Sequence, residues 1–590
     1  MQPWPGHAFV AHWRRAESWR ALTLPERERL LCLAASSGHA ASLDAALAQC
    51  GCALKPAVLT AAAAAGNLAG CERLLCEGCS FSTDALTAAA RGGHLPALQL
   101  LLTAGTSGDN VTGAYLAAAA QGACAGGQLP VLAWLQQAHG YSPRPEDVLA
   151  AAQAGQVAVL DQLLPRFPDL FAAAAAIARG ASSSNNGDEA AADASATGRP
   201  EDAAFGEKWQ LLEAIIAGCP AAVLQRHYDG LWRWRAQAQP EAGADALEAA
   251  AAAAERDRGA WFDSLLDAAI GSGTDCWSQK LEYLLSRWGP TVAGLVLCSA
   301  HARGLRAASR RPDFAARLPR LRALGVPLGG DEEVDAAAVD AAARGGHADA
   351  LAWVWDEAGG GMPPQLAATL FAAAGSAAGD DEDQDGAEPG GGGGRLAVLR
   401  LLRERGLEVR VADVLHVIRR LPPAAEQRPP AAEGYDEEEK TDGPGQEAAE
   451  QEQGEAGEDR EAWRCCRCWS ETALLWMTEV AVGEDEEEED AEAVRGQWSE
   501  VFGRAAARGA GLPLLRALRA RGAAVGLGAV AEGGSEEALE WAAAELEAKR
   551  GASSGGVQAL SPAEATRVLA AGNAAALVWL RGRGLLPPLP

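Results

Sequence analysis

Apolar and polar positions along the chain recur in a two-part unit. In Ala85–Gly105, ALTAAARGGHLPALQLLLTAG, a short Ala-rich segment leads into Arg91, Gly92, Gly93 and His94. A run with Leu95, Leu98, Leu101 and Leu102 follows, and Gly105 ends it. The same order appears in Leu33–Leu47, Leu59–Gly78, Leu149–Leu164 and Val339–Trp355, and again in Phe502–Gly522 and Thr566–Gly584. Leu at i, i+3, i+6 and i+7 is close to a helical stripe, so the second part of the unit predicts an amphipathic helix. The Ala-rich part predicts a first helix of about two turns, whose small side chains let it nest between neighbours. Gly38, Gly66, Gly93, Gly155, Gly346 and Gly572 mark the reversal between the two, where a positive φ is cheap. Pro96, Pro130 and Pro513 each follow a Leu at the start of the second helix, a position where a missing N–H costs nothing. Gly78, Gly105, Gly406 and Gly522 then read as helix caps. Strand-type runs of Val, Ile, Thr and Tyr are nearly absent. The predicted fold class is all-α, an α-solenoid of stacked helix–turn–helix repeats.

The spacing between turn glycines is 28 residues from Gly38 to Gly66, 27 to Gly93, 34 to Gly127 and 28 to Gly155. Armadillo and HEAT units need roughly 40–47 residues, tetratricopeptides about 34 and ankyrin units about 33. The motif discriminates further. The string A-A-x-x-G-H-x-x-x-L-x-x-L-L-x-x-G, carried by Ala88, Ala89, Gly93, His94, Leu98, Leu101, Leu102 and Gly105, resembles the ankyrin repeat. The likeness covers the copies at about residues 30–165 and Val339–Glu357 and weakens elsewhere. The T-P-L-H signature of the first helix is missing throughout, and several copies are about five residues short, which implies abbreviated fingers between helix pairs. The resemblance implies a non-enzymatic scaffold that binds a protein partner through its solenoid surface. Some large Ala/Gly-rich ankyrin families begin with an F-box-like module. The alternative it implies is therefore the substrate-recognition part of an F-box-type ubiquitin-ligase adaptor, although no such module is visible in the roughly 30 residues before the first repeat.

The organisation predicted on this basis runs as follows. Residues 1–29 form a capping segment and 30–180 the best-matching repeats; 181–206 is a disordered insertion and 207–379 holds degenerate repeats. An acidic, Gly-rich linker occupies 380–394, repeat helices 395–423, and a disordered acidic insertion 424–461. A helix with a Cys cluster spans 462–483, an acidic tract 484–492, and degenerate repeats with a cap 493–590. Inserts at one side of a helix pair cost little, because loop-closure entropy grows only logarithmically. Leu170–Gly180 reads as a first helix whose partner, Lys208–Gly218, comes after such an insert.

Charge sharpens this picture. The formal net charge is −28, yet Ala424–Glu492 alone holds 24 Asp/Glu against 5 Lys/Arg, a net −19. Asp380–Pro389 contributes −6 and Asn186–Asp202 −4, so the remainder is near neutral at +1. With the acidity confined to low-complexity stretches and no basic patch read, a nucleic-acid partner is disfavoured. No membrane partner and no small-molecule substrate are expected, since no long uncharged apolar run is present. The Met1–Arg15 stretch lacks an apolar core and acids follow it, which argues against a leader. Thirteen Cys, an odd number spread over the length, point to a reducing interior; the cytoplasm is the expected location, with the nucleus as the alternative.

Candidate chemistry is sparse. Cys465, Cys466 and Cys468 form one tight cluster without the second ligand pair that zinc requires; metal binding, redox reactivity and an incidental cluster stay open. Cys71, Cys76 and Cys79 fall on the stripe and cap of a second helix and read as core. His39, His94 and His347 recur after a turn Gly, where a hydrogen bond to neighbouring backbone is the expected use. Trp134, Trp353, Trp355, Trp541 and Trp579 lie in second-helix stripes and read as inter-repeat core. The run Glu484–Asp490 reads as a solvated acidic tract. No phosphate loop, nucleophile elbow or zinc-protease motif is present, so no catalytic, cofactor-binding or metal residue is assigned and no cofactor is expected.

Overall fold

A computed structural model describes residues 4–105, 113–167, 200–231, 261–299, 301–357, 370–371, 391–420, 471–481, 488–550 and 557–587. The regular structure of the described residues is entirely helical. Among them no helix is long and apolar enough to cross a membrane. The expected insert at 424–461, most of 181–206, and the Cys465–Cys468 cluster lie outside the described residues, as do residues 380–390 of the expected linker 380–394, whose last four residues instead open helix Gly391–Glu404.

The chain divides into two compact units. A central unit comprises Cys32–Ala40 and Leu54–Ala338; a terminal unit comprises Met1–Leu31, Ala41–Ala53 and Val339–Pro590. The central unit is a row of helix pairs. The well-formed ones are Pro56–Ala64 with Leu68–Cys76, Thr83–Arg91 with Leu95–Ala104, Gly113–Ala125 with Leu129–His139, and Pro145–Gln153 with Val157–Leu163. The Ala-rich first helices stack on one another in chain order, and this is the tightest layer of the unit. Its contact surface is nearly all alanine: Ala62, Ala63, Ala89, Ala90, Ala119, Ala120, Ala123, Ala151 and Ala152 are fully buried. Where backbones approach most closely even a methyl is too large. A Cβ at Gly122 or Gly126 would collide with the backbone of Thr87 or Arg91. Leucines of the second helices, such as Leu74, Leu98, Leu101, Leu135 and Leu160, fill the inside of each pair. Each such Leu contributes on the order of 1.5–3 kcal/mol by leaving water.

The six turn glycines named from the sequence all have positive φ, between 67° at Gly66 and 77° at Gly572. Gly78, Gly406 and Gly522 do too. Gly105 does not; it stays right-handed at φ −77°, and a side chain there would strike the Phe81 and Tyr115 rings. Pro96, Pro130 and Pro513 sit in the first turn of their helices, as their sequence position implies.

A side-chain ladder ties successive pairs. After Gly66, Gly93 and Gly127 the next residue reaches back to the last carbonyls of the preceding Ala-rich helix, which have no acceptor role inside their own helix. Asn67 Nδ2 donates to Ala35 O at 2.8 Å, Gln128 Nε2 to Arg91 O at 3.3 Å, and His94 Nε2 lies 3.1 Å from Ala64 O. The spine is therefore held by small-residue packing and by these three polar rungs.

Helix Pro200–Gly218 departs from its expected place. It stacks against Pro145–Gln153 as a first helix and pairs with Ala221–Leu231. Gly218 permits this, since a side chain there would strike the carbonyls of Ala152 and Gln153. Cys219 Sγ completes the join, donating to Ala152 O at 3.4 Å.

In the terminal unit, helices Val411–Arg420, Glu488–Ala507, Leu527–Gly533 and Pro562–Ala571 stack in the same manner. The opening segment, expected as a cap on the first repeat, also touches the last ones. Arg27 Nη2 donates to Asn573 Oδ1 at 2.7 Å, and Arg20 contacts Glu536 and Glu540 at 3.1 and 2.6 Å. Trp4, Phe9, Trp13 and Trp19 form a small aromatic core there, with successive ring centroids 5.0, 6.2 and 5.4 Å apart.

Candidate nucleic-acid interface

The end of the central unit, where the repeat motif is weakest, carries the most concentrated chemistry. Helices 261–270, Trp277–Leu297, Ala302–Ala308 and Phe314–Ala323 build it. Leu265, Leu266, Leu281, Leu305, Phe314 and Leu318 bury an ordinary apolar interior. The polypeptide enters Ala302–Ala308 through His301, the one non-Gly residue with positive φ (48°) among those described. A bulky residue held there needs compensation. His301 has it: Nε2 lies 2.8 Å from Val296 O and Nδ1 3.3 Å from Asp267 Oδ1.

Two fully buried cations brace this region. Lys280 Nζ donates to Ile216 O at 2.7 Å and to Ser272 Oγ at 2.8 Å. Arg317 Nη1 donates to Ile270 O at 2.8 Å and to Ser272 O at 3.0 Å. Its Nε meets Asp313 Oδ2 at 3.0 Å, and its guanidinium lies 5.0 Å from the centroid of the Trp277 ring. Both cations sit at the carboxyl ends of helices, where terminal carbonyls and the helix dipole favour positive charge. They take over the part played by Asn67, His94 and Gln128 in the regular repeats. Burial nonetheless lowers the Lys280 amine to about 8 and draws Arg317 down.

The same helices present arginine to solvent. Ala302–Gly325 contains seven Arg against a single Asp, a net +6 within 24 residues. Arg303, Arg306, Arg310, Arg320 and Arg322 are exposed, Arg311 is half-buried, and only Arg317 is buried. Arg303 and Arg306 lie one helical turn apart and so share a face. Acids from neighbouring helices face this surface. Arg303 Nε lies 3.5 Å from Asp267 Oδ2, and Arg320 pairs with Glu282. Arg311 Nη2 donates to Gly273 O at 2.9 Å. Exposed pairs of this kind are worth about 0–1 kcal/mol each, so they yield readily to a stronger anion. Guanidinium groups bind phosphate oxygens in bidentate fashion, which makes such a surface suited to a phosphodiester backbone. A second arginine-rich stretch, Phe502–Ala531, has five Arg and no acid. There, Arg504 and Arg519 are tied to Glu500 and Glu545, and Arg521 to the Glu479 carbonyl.

No protein-family model and no curated protein matches the chain. Among solved structures it is similar to the pentatricopeptide repeat protein PPR10 from maize. The identity is 12%, the alignment covers 94% of this chain and 82% of that one, and the TM-score is 0.22. A second similar structure is PPR10 in complex with an 18-nucleotide psaJ RNA element, at 12% identity, 100% and 87% coverage, and a TM-score of 0.19.

The expectation of a protein-binding scaffold, with the ubiquitin-ligase adaptor as its alternative and nucleic acid excluded, is corrected at its premise. Its premise was the lack of a basic patch, and Ala302–Gly325 is one. The signal was present in the sequence. Averaged over the whole body it disappears, because a net +6 on two helices and the turn between them cancels against acids spread over the rest.

The other singled-out residues are placed as follows. Cys71 and Cys79 are buried, while Cys76 is exposed and forms no part of the core. Burial pushes the Cys71 thiol up to about 11. Of the five stripe tryptophans only Trp355 is buried, beneath Arg405; Trp134, Trp353, Trp541 and Trp579 are half-buried, since Leu and Ala already fill the inter-helix layer. Among the described residues no group of three or more His, Cys, Asp or Glu could hold a metal ion.

Proposed function

We propose that the chain is a non-enzymatic helical-repeat scaffold that binds single-stranded nucleic acid through the arginine face of Ala302–Gly325. The single observation that carries this reading is the exposure of five arginines, four on two helices and Arg310 in the turn between them, beside the buried Lys280 and Arg317. The repeats supply a spine, and the arginines contact phosphates without reading bases. The short helix pairs, the positive-φ turn Gly and the polar rung after it support reading the units as shortened ankyrin-like repeats. The odd cysteine count and free thiols support a reducing compartment, the cytoplasm first.

The test is fluorescence anisotropy with labelled single-stranded RNA and DNA oligonucleotides in graded salt. The reading expects a dissociation constant of roughly 10⁻⁴–10⁻⁶ M at physiological salt, falling steeply as salt is lowered. Arg303→Glu, Arg306→Glu and Arg310→Glu combined should abolish binding with circular dichroism unchanged. Equal binding by the triple variant, or no binding by the wild type at low salt, refutes it.

A further inference from the structure

Helix Ala302–Ala308, which carries Arg303 and Arg306 of the arginine face, is entered through a histidine whose two ring nitrogens both meet acceptors. His301 is 4% exposed and left-handed at φ 48°. Its Nε2 lies 2.8 Å from the Val296 carbonyl, and its Nδ1 lies 3.3 Å from Asp267 Oδ1. A carbonyl and an ionised carboxylate offer only lone pairs, and a neutral imidazole has a single N–H. Only the imidazolium donates to both. Asp267 is shared: its other oxygen, Oδ2, lies 3.5 Å from Arg303 Nε, so His301 and Arg303 take opposite oxygens of one carboxylate. Gly304 allows this approach, since a side chain there would strike the Asp267 backbone and Oδ1. The charged groups facing the ring are Asp263 and Asp267 of helix 261–270 and Arg303 of its own helix, while helix Trp277–Leu297 presents the Val296 carbonyl. Asp263 is engaged elsewhere: its Oδ1 accepts from Ser299 Oγ at 2.9 Å, and burial raises its carboxyl. The His301 side chain is sealed from water, whereas that of Arg303 is 67% exposed.

We infer that His301 is a pH-responsive positioning residue of the arginine face, deciding whether Asp267 holds Arg303 or leaves it to a phosphate of a single-stranded nucleic acid. This regulation rests on the nucleic-acid reading of that face. With the ring protonated, its charge offsets that of Asp267, and Arg303 turns outward to phosphate. When the proton leaves, the ring keeps its shorter bond, from Nε2–H to Val296 O, and turns a lone pair toward Asp267 Oδ1. The carboxylate is then uncompensated in a partly buried site, where attraction is stronger than in water. Arg303 is the cation within its reach, and it is drawn back from the surface. Imidazole exchanges its proton between about pH 5 and 8. Affinity for the strand therefore falls as pH rises through that window.

Fluorescence anisotropy with a labelled single-stranded RNA oligonucleotide is measured on the full chain at about pH 6 and about pH 8, at the same low salt, to bracket the imidazole range. The wild type should bind about two- to tenfold more tightly at the lower pH, the factor for one net hydrogen bond. Its salt slope should be steeper there by about 0.7, the value of one phosphate contact on a single strand. Two variants displace the response in opposite directions. His301→Gln leaves Asp267 uncompensated and should bind at both pH values as the wild type does at the higher one. Asp267→Asn removes the charge that draws Arg303 and should bind at both as the wild type does at the lower one. Circular dichroism checks that each variant is folded, and Asp267→Asn decides the matter where His301→Gln fails to fold. Equal wild-type affinity at the two pH values overturns the inference and leaves the nucleic-acid reading standing, as does a pH response that survives in Asp267→Asn. Absence of binding at either pH overturns that reading and the inference with it.

Discussion

Asn573 joins more of the terminal unit than its single amide suggests, and replacing it by Ala is the sharpest probe of how the first and last segments are held. The side chain is fully buried. Its Nδ2 donates to Ala531 O at 3.0 Å and Gly534 O at 3.2 Å, and its Oδ1 accepts from Arg27 Nη2 at 2.7 Å and from Ala576 N at 3.3 Å. Asn573→Ala removes an N-cap worth about 1 kcal/mol. It also removes a hydrogen bond to a charged donor worth about 1.5–3 kcal/mol. Two carbonyls and a guanidinium N–H lose their partner in the interior, and relaxation recovers part of that loss. The expected destabilisation is about 3–5 kcal/mol, the range for breaking a buried charged contact. Asn573→Asp keeps the acceptor for Arg27 and the cap but loses both donors, so it should cost less than Ala. Urea unfolding followed by circular dichroism gives the magnitude. Hydrogen exchange gives the place: protection should fall in Leu24–Ser36 and in Ala574–Gly582 together. A loss below about 1 kcal/mol, or exchange rising in only one of the two segments, would refute the reasoning.

Two further perturbations test the central unit. Gly126→Ala places a methyl against the Arg91 carbonyl, which cannot give way inside the alanine layer; overpacking of this kind should cost about 1–3 kcal/mol, read as a lowered urea midpoint. The buried Lys280 amine, lowered by burial to about 8, makes stability depend on pH. Between about pH 8 and 10.4 the unfolded chain binds the proton that the native state has released, so stability rises through that window, and below it the native state bears the full cost, on the order of 3 kcal/mol. Lys280→Met should abolish this rise, which the difference between the wild-type and variant urea midpoints from pH 7 to 10 reports; identical profiles would exclude it.

Much of the architecture is legible along the chain, and for a local reason. A turn Gly, a Pro one residue into a helix and an alanine run act within a few residues of themselves. Gly38, Gly66, Gly93, Gly155, Gly346 and Gly572 accordingly adopt the conformation their positions imply. His94 likewise finds a backbone partner, Ala64 O, as its place after Gly93 implies. The candidate interface is legible in kind but not in orientation. Seven arginines in 24 residues are plain to count, yet only the helices show that five face solvent while Arg317 turns inward to cap a neighbouring helix.

What the sequence by itself determined is the helical class, the two-helix unit and its turns, because these depend on propensity and periodicity. Tertiary structure alone decided that Pro200–Gly218 stacks as a first helix, that Lys280 and Arg317 replace the polar rung of the regular repeats, and that Arg27 meets Asn573 across 546 positions. Those outcomes rest on which carbonyls and which small side chains meet after the helices stack. Such meetings join residues far apart in the chain, and no period in the sequence records them.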